Sequence, residues 1–445
     1  MPSPDLAETS GSTAVTVPGR GYLVTLATST VITLFAHHVW PDEPTVRGQP
    51  VSVMVGFGLL LVAGILWWRY RPIDQPPWTG LMRATLITLA ALWAVTVVLS
   101  LVHGDLFNPT TLILPIALAM IWFKRPSSAA ATTALDVWAI VIVAIAIAAV
   151  VLDFSGLVPI HPEGTLRWPL QVLKVFGVDA RATVPIMDIN ACPICYGYIS
   201  RWAGPFGNVN YAGPIGASLV MIGLFRARWW RWGLLAAGAV ILVVSDSRTG
   251  IIAIAAGLAA IALTAPRIAG RPVRPWFRWA VLAAAIAVLV GYVAFVDRTL
   301  NLRTEVWREF LLAWPTSPII GVGGEGITAL ITAGDLPGWA SHGHSLLIDP
   351  LLRFGLVGAL LVGATIALLI TMTVRAARTG AVLPLALVAS AIGAGFTEDL
   401  LDWRYLSVDL TPLLLAAIIA ATALDGARTG EARLAGGESR PVGVG

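Results

Sequence analysis

The stretch DRTLNLRTEVWREFLLAWPTSPIIGVGGEGITALITAGDLPGWASHGHSLLIDPLLRFGLVG (residues 297–358) decides how the chain is read, because a long polar loop leads there directly into an apolar segment. Its first half repeats apolar side chains at helical spacing and predicts a short helix: Leu302, Val306, Phe310 and Ala313. Pro315 ends that helix, since proline cannot continue the hydrogen-bond ladder. We expect the helix to lie on a membrane with its arginines at the water boundary.

Composition extends this interpretation to the whole chain. Hydrophobic residues make up 57% and charged residues 12% of the 445 positions. A soluble core cannot bury that much apolar surface, whereas a bilayer can accommodate it. The sequence therefore predicts an all-α integral membrane protein.

Apolar runs of about 17 to 25 residues are long enough to cross the hydrocarbon core. Twelve such spans are predicted near residues 21–38, 51–68, 81–102, 109–123, 132–152, 206–225, 229–245, 247–264, 278–296, 345–372, 380–397 and 405–424. They form one polytopic membrane domain over 21–424, with two long extracytoplasmic loops containing short helices at about 153–205 and 297–343. Residues 1–20 and 425–445 are predicted to be a disordered and a flexible cytoplasmic tail.

Basic residues orient the spans. Pairs and clusters such as Arg69 with Arg71, Lys124 with Arg125, and Arg375 with Arg378 fall in short alternate loops, as the positive-inside rule requires of cytoplasmic ones. Both termini are therefore predicted to be cytoplasmic. This topology also explains the net charge of +4, so the charge gives no reason to expect a nucleic-acid partner.

Four short motifs carry a family resemblance. His344 and Ser345, followed by Gly355 and Gly358, resemble the H-[NS]-x-x-L...G-x-x-G signature of the O-antigen ligase and O-antigen polymerase superfamily. Upstream, R-x-x-x-W begins at Arg303 and is followed by Pro318 and a glycine-rich run of Gly321, Gly323, Gly324 and Gly326, which is similar to the family. Residues 201–210 are similar to R-x-x-G-x-F-x-N-x-N, and residues 245–250 to S-x-S-R-x-G. The motifs occur in the family's order and cover roughly residues 195 to 400.

The resemblance implies a multi-pass enzyme of the bacterial plasma (inner) membrane. It would transfer glycan from a polyprenyl-diphosphate-linked donor to an acceptor hydroxyl at the extracytoplasmic face, by an inverting displacement in cell-envelope polysaccharide synthesis. The acceptor would be a glycan, a lipid-linked glycan or another hydroxyl compound. Membrane lipids are the other expected partner.

Site residues follow from the same motifs. The resemblance implies His344 as general base, Arg248 and Arg303 as contacts to the diphosphate, and further substrate contacts from Arg201, Asn208, Asn210, His342 and Trp307. From chemistry alone, Arg248 could equally pair with Asp246, Arg201 could be an interfacial anchor, and the arginines of residues 298–308 could be solvated.

We expect these side chains to suffice for the transfer. A lipid diphosphate is already a good leaving group, so arginines can stabilise its charge and an imidazole can activate the acceptor hydroxyl. No cofactor is expected, because nucleotide fingerprints are missing from the sequence. No metal site is expected either, because the sequence offers no acidic pair at metal-ligand spacing beside the arginines.

Other polar positions have simpler interpretations. Asp349 and Arg353 are four residues apart and are predicted to form a helical ion pair. Glu398, Asp399 and Asp402 are interpreted as acids that satisfy a solvated turn, in preference to sugar contacts. Cys192 and Cys195 are predicted to form a local disulfide or to remain free thiols, and not to bind zinc.

Two other classes of protein share the gross features. A twelve-helix transporter or flippase of lipid-linked glycans would also carry intramembrane charges, but the sequence shows no inverted repeat and has its two long loops on one face. A non-catalytic scaffold for envelope synthesis is the third interpretation. Transfer from a purified lipid-linked glycan, with and without His344, separates the three.

Overall fold

A computed structural model describes most of the chain. The described residues are 19–39, 48–69, 78, 80–105, 109–155, 206, 209–226, 228–245, 247–268, 271–291, 303–338, 340, 342–398, 403–404 and 406–435. The 153–205 loop therefore lies outside them apart from its first three residues, and so do Cys192 and Cys195.

Among the described residues the architecture is all-helical apart from one antiparallel pair of two-residue strands. The first nine helices are α1 (Arg20–Val39), α2 (Gly48–Arg69), α3 (Gly80–Val102), α4 (Ile113–Phe123, after a 3₁₀ turn over Pro109–Leu112), α5 (Ser128–Ser155), α6 (Val209–Phe225), α7 (Arg231–Ser245), α8 (Arg248–Thr264) and α9 (Pro275–Gly291). Between α8 and α9, strands β1 (Arg267–Ile268) and β2 (Arg271–Pro272) pair antiparallel.

The remaining helices carry the stretch on which the sequence analysis began. They are α10 (Arg303–Ala313, continued by a 3₁₀ turn over Trp314–Thr316), α11 (Gly323–Ala333), α12 (Ile348–Arg378), α13 (Val382–Gly395) and α14 (Leu410–Ala435). The short helix predicted around residues 302–313 is confirmed over Arg303–Ala313, with Val306, Phe310 and Ala313 buried as its spacing indicates.

A helix lies at each of the twelve places where a span was predicted. Four helical segments among the described residues are long and apolar enough to cross a membrane: Gly80–Val102, Ser128–Val151, Ile348–Arg378 and Leu410–Thr429. Seven shorter segments are apolar over 10 to 17 residues. The membrane character is thus supported, while the count of twelve spans and the orientation of the termini stay predictions.

The outer surface of the bundle suits lipid. Large apolar side chains are exposed at many positions, among them Met54, Leu61 and Phe123, which are 74%, 67% and 72% exposed. Exposing so much apolar surface to water would be energetically costly. Inside, α1 packs on α2, α6 on α7 and α8 on α13 around one large apolar core. Helix α14 extends past residue 424, and its residue Asp425 forms an ion pair with Arg125 at one end of the bundle.

A smaller apolar core lies under α10 and α11, with Val306, Phe310, Ile327 and Leu336 packing against Leu352 of α12. The loop between α10 and α11 enters a break in α12 at Gly355, whose φ of 64° and ψ of −163° are not helical.

The backbone groups freed by this break are satisfied by the loop. The N–H groups of Leu356 and Val357 donate to the carbonyls of Pro318 and Ile319 at 2.9 and 3.2 Å. An added Cβ at Gly355 would lie 2.2 Å from the Ile319 oxygen, so only glycine fits. These contacts fasten α10, and with it Arg303, to the membrane helix that follows the two histidines.

Candidate active site

Two side chains from distant parts of the chain meet at the carboxylate of a third residue. Glu398 follows the C-terminal end of α13, and its Oε2 lies 3.0 Å from Nδ1 of His344. Its Oε1 accepts a hydrogen bond from Nη2 of Arg303, the first residue of α10. The side chains of Arg303 and Glu398 are only 8% and 2% exposed, and that of His344 is 21% exposed. The arrangement is a buried Arg–Glu–His triad with its imidazole at the accessible end.

The protonation of Glu398 follows from its neighbours. Burial alone would raise the pKa of its carboxyl, but the hydrogen bond with His344 and the charge of Arg303 outweigh burial and lower the pKa below its usual value. The carboxylate is therefore ionised at neutral pH and only accepts hydrogen bonds. A neutral His344 must then carry its proton on Nδ1 and keep Nε2 as the basic nitrogen.

His342 stacks beside His344, with ring centroids 3.9 Å apart and planes tilted by 48°. Burial, followed by the charge that His344 can carry, lowers the pKa of His342 from its ordinary value. His342 therefore stays neutral at neutral pH and does not add a second positive charge next to the triad.

The turn that carries both histidines is held from two sides. The Leu346 N–H donates to the Gly395 carbonyl at 2.7 Å, which joins the turn to the end of α13. Asp349 accepts from the Gly343 N–H at 2.7 Å, which joins it to the first turn of α12. His344 has a φ of 43°, and it is the only non-glycine residue with positive φ among those the structure describes. Such a conformation persists where the surroundings fix it, and it is frequent at functional sites.

The N-terminal end of α8 adjoins this site. Oγ1 of Thr249 lies 3.2 Å from Oγ1 of Thr397, and both residues are buried; Thr397 directly precedes Glu398 in sequence. Arg248 is the first residue of α8, so its backbone is near the triad, whereas its side chain lies outside the description. The Ser247 hydroxyl accepts from the Gly250 N–H and caps the helix, which fits the S-x-S-R-x-G motif locally.

The structure describes the other predicted site residues only in part. Trp307 is half-buried one turn after Arg303, and its indole N–H finds no partner among the described residues. Asn210 lies in the first turn of α6 with its side chain outside the description, and Arg201 and Asn208 are not described at all. The structure thus brings together His344, Arg303 and His342.

Two expectations from the sequence are resolved here. The predicted ion pair is confirmed, since Nε of Arg353 lies 3.1 Å from Oδ2 of Asp349. The interpretation of Glu398 as part of a solvated turn is wrong, because its side chain is almost completely buried against Arg303 and His344. Arg308, by contrast, is a solvated residue with a side chain 76% exposed.

One cluster of side chains that could hold a metal ion was not predicted from the sequence. Potential ligand atoms of His342, His344 and Glu398 all lie within 4.8 Å of one another. Two imidazoles and a carboxylate are a familiar ligand set for zinc. Here the carboxylate is already neutralised by Arg303, and a divalent cation would be repelled by that guanidinium.

Part of the chain matches a known protein family. Residues 232–363 match the family model described as Wzy_C, O-Antigen ligase, so the resemblance read from the motifs is confirmed. The match contains Arg248, Arg303, Trp307, His342 and His344, and ends before Glu398. It supports a membrane glycosyltransferase-like role in cell-envelope polysaccharide synthesis, with lipid-linked glycans and polysaccharides as partners in general. A comparison with curated proteins found no match.

Proposed function

We propose that this protein transfers glycan from a polyprenyl-diphosphate donor to an acceptor hydroxyl at the extracytoplasmic membrane face, by a metal-independent inverting displacement. The observation that carries the proposal is the Arg303–Glu398–His344 triad inside a chain with an O-antigen ligase domain. The triad joins a cation, which suits a diphosphate, to an imidazole with a defined tautomer, which suits a hydroxyl.

In this mechanism His344 is the general base. Nε2 takes the acceptor proton while the acceptor oxygen attacks the anomeric carbon and the bond to the lipid diphosphate breaks. Glu398 keeps the proton on Nδ1 and stabilises the imidazolium that forms, so it acts on the reaction through His344. A positioned base of this kind is typically worth about 10²- to 10⁴-fold in rate.

Arg303 and Arg248 supply positive charge for the leaving diphosphate. Nη2 of Arg303 donates to Glu398, which orients the planar fork and leaves the Arg303–Glu398–His344 triad with no large net charge before the donor arrives. Arg248 is the first residue of α8, and we assign it the second positive charge for the donor. Trp307, one turn from Arg303, offers an aromatic face and an N–H for a sugar ring.

An apolar crevice provides room for the donor's lipid tail. It has a volume of about 430 Å³ and lies between α8, α9, α12 and α13, with small residues such as Ala256, Ala259, Ala389 and Gly393 along its wall. One of its lining residues, Phe396, precedes Glu398 by two positions in the chain.

The test is transfer by the purified protein. Reconstituted in liposomes with a polyprenyl-diphosphate-linked glycan and a hydroxyl acceptor, it should release polyprenyl diphosphate in step with the glycosylated product. Movement of intact donor across the bilayer without release would instead favour the transporter interpretation. A long-chain donor should bind more tightly than a single-unit donor, because the single unit would leave most of the apolar crevice unfilled.

A further inference from the structure

Asp349 links the histidine turn to α12 through both of its carboxylate oxygens. Oδ1 accepts from the Gly343 N–H at 2.7 Å, and Oδ2 accepts from Nε of Arg353 at 3.1 Å. Asp349 is 2% exposed, so neither bond competes with bulk water. Gly343 lies between the two histidines, and the bond to its N–H therefore acts on the backbone that orients both rings.

The turn cannot easily be held in another way. An added Cβ at Gly343 would lie 2.8 Å from the Asp349 nitrogen, so the turn and the first turn of α12 are in direct contact. The Asp349 N–H also donates to the Ser345 carbonyl at 3.1 Å. His344 keeps its positive φ between this contact on one side and Glu398 on the other. A strained residue of this kind relaxes when the groups that fix it are removed.

We propose that Asp349, itself oriented by Arg353, is a positioning residue that holds His344 in line with Glu398. Without it the Gly343 N–H loses its acceptor, the turn relaxes towards negative φ at His344, and the Nδ1–Glu398 bond is no longer maintained. The catalytic meaning of this inference rests on the proposed function, while the structural statement about His344 does not.

The competing interpretation is an ordinary ion pair between residues four apart on one helix. Such a pair contributes little, and its loss would leave the histidine turn unchanged. The two interpretations differ for Asp349→Ala, which removes both the ion pair and the acceptor of the Gly343 N–H. Asp349→Asn separates these two losses, because its amide oxygen can still accept from Gly343 although it no longer carries a charge for Arg353.

The experiment compares Asp349→Asn, Asp349→Ala and Arg353→Gln with the parent, and uses Asp335→Asn as a control, since Asp335 is an exposed acid beyond α11. Donor KM should change little in all of them. We expect kcat to fall by about 10²-fold in Asp349→Ala, the effect of a displacement of about 1 Å at a catalytic group. Asp349→Asn and Arg353→Gln should lose about tenfold or less, and the control should match the parent.

A second readout does not depend on transfer. With only six histidines in the chain, ¹⁵N-histidine labelling gives a resolvable spectrum, and the His344 signals are assigned by their loss in His344→Gln. The parent should show the Nδ1–H tautomer at His344 and Asp349→Ala a mixture of tautomers. An unchanged tautomer together with parental kcat in folded Asp349→Ala would overturn the proposal. If no variant, including the parent, transfers glycan, the proposed function fails and the spectrum alone decides the role of Asp349.

Discussion

Replacement of Glu398 by glutamine is the sharpest perturbation of the triad, because it removes one charge and almost no volume. In the parent, one carboxylate oxygen accepts from Arg303 and the other lies 3.0 Å from Nδ1 of His344. Glutamine has a single acceptor oxygen, and its NH₂ group must face one of these two donors. Either Arg303 or the Nδ1–H of His344 therefore loses its acceptor.

The structure sets the size of both effects. Removing one partner of a buried ion pair leaves an uncompensated charge and costs about 3 to 5 kcal/mol of stability; Arg303, with a side chain 8% exposed, meets that condition. For activity, loss of the defined tautomer removes most of the contribution of the base, so kcat should fall by about 10²- to 10⁴-fold. Donor KM should rise much less than kcat falls.

The assay is transfer per folded molecule in proteoliposomes, with folding followed by tryptophan fluorescence and size-exclusion chromatography. Glu309→Gln is the matched control, because Glu309 lies on the same helix as Arg303 and its ion-pair partner Arg308, 4.0 Å away, has a side chain that is 76% exposed. That variant should behave as the parent. Glu398→Asp keeps the charge and should retain more activity than Glu398→Gln. Normal turnover by folded Glu398→Gln would refute the role given to this carboxylate.

Four further outcomes follow from the same geometry. Arg303→Ala should lower kcat by about 10²- to 10³-fold, the usual cost of losing one donor to a developing charge, and Arg303→Lys should lie between Ala and the parent in the same transfer assay. EDTA should leave transfer unchanged; a loss that Mg²⁺ or Zn²⁺ restores would mean that His342, His344 and Glu398 hold a catalytic metal. The pKa of Glu398 is lowered in the folded state, so its pairing stabilises the protein fully at a pH above the carboxyl's unfolded pKa of about 4.3. This stabilisation is lost as the pH falls through the folded pKa. The acid limb of a thermal-unfolding profile should therefore be steeper for the parent than for Glu398→Gln. Gly355→Ala should destabilise the protein by about 1 to 3 kcal/mol in denaturant unfolding, because a side chain there is strained by positive φ and meets the Ile319 carbonyl.

Helix positions could be read from the sequence because each is a property of a local run of apolar residues. The helix that carries Arg303 was predictable for the same reason, since Val306, Phe310 and Ala313 repeat at helical spacing. The ion pair between Asp349 and Arg353 is also local, being fixed by four residues of one helix. Features of this kind need no knowledge of which helices are neighbours.

Glu398 was misjudged because its environment is not local. It lies 95 residues from Arg303 and 54 from His344 along the chain, and the packing of α10 and α13 against α12 brings them together. Its neighbours Asp399 and Asp402 made a solvated acidic turn the simpler interpretation. One signal was available: Glu398 directly follows an apolar helix, where an ionised side chain is costly unless it finds a cationic partner.

The entry of the loop into α12 at Gly355 was equally hidden. The glycine pair Gly355 and Gly358 could be read as a motif, but not as a break in a long helix that is filled by backbone from residues 318–322. Hydrogen bonds between backbone groups leave no trace in side-chain pattern, except for the glycine that makes their close approach possible.

The most direct test of the central claim is single-turnover transfer by His344→Gln, measured together with donor binding on the same reconstituted sample. Glutamine keeps a polar side chain of similar size but cannot accept and hold the acceptor proton. The account predicts parental affinity for the polyprenyl-diphosphate-linked glycan and a transfer rate lower by about 10²-fold or more. Transfer at the parental rate, or loss of donor binding as the cause of inactivity, would contradict the assignment of His344 as the base.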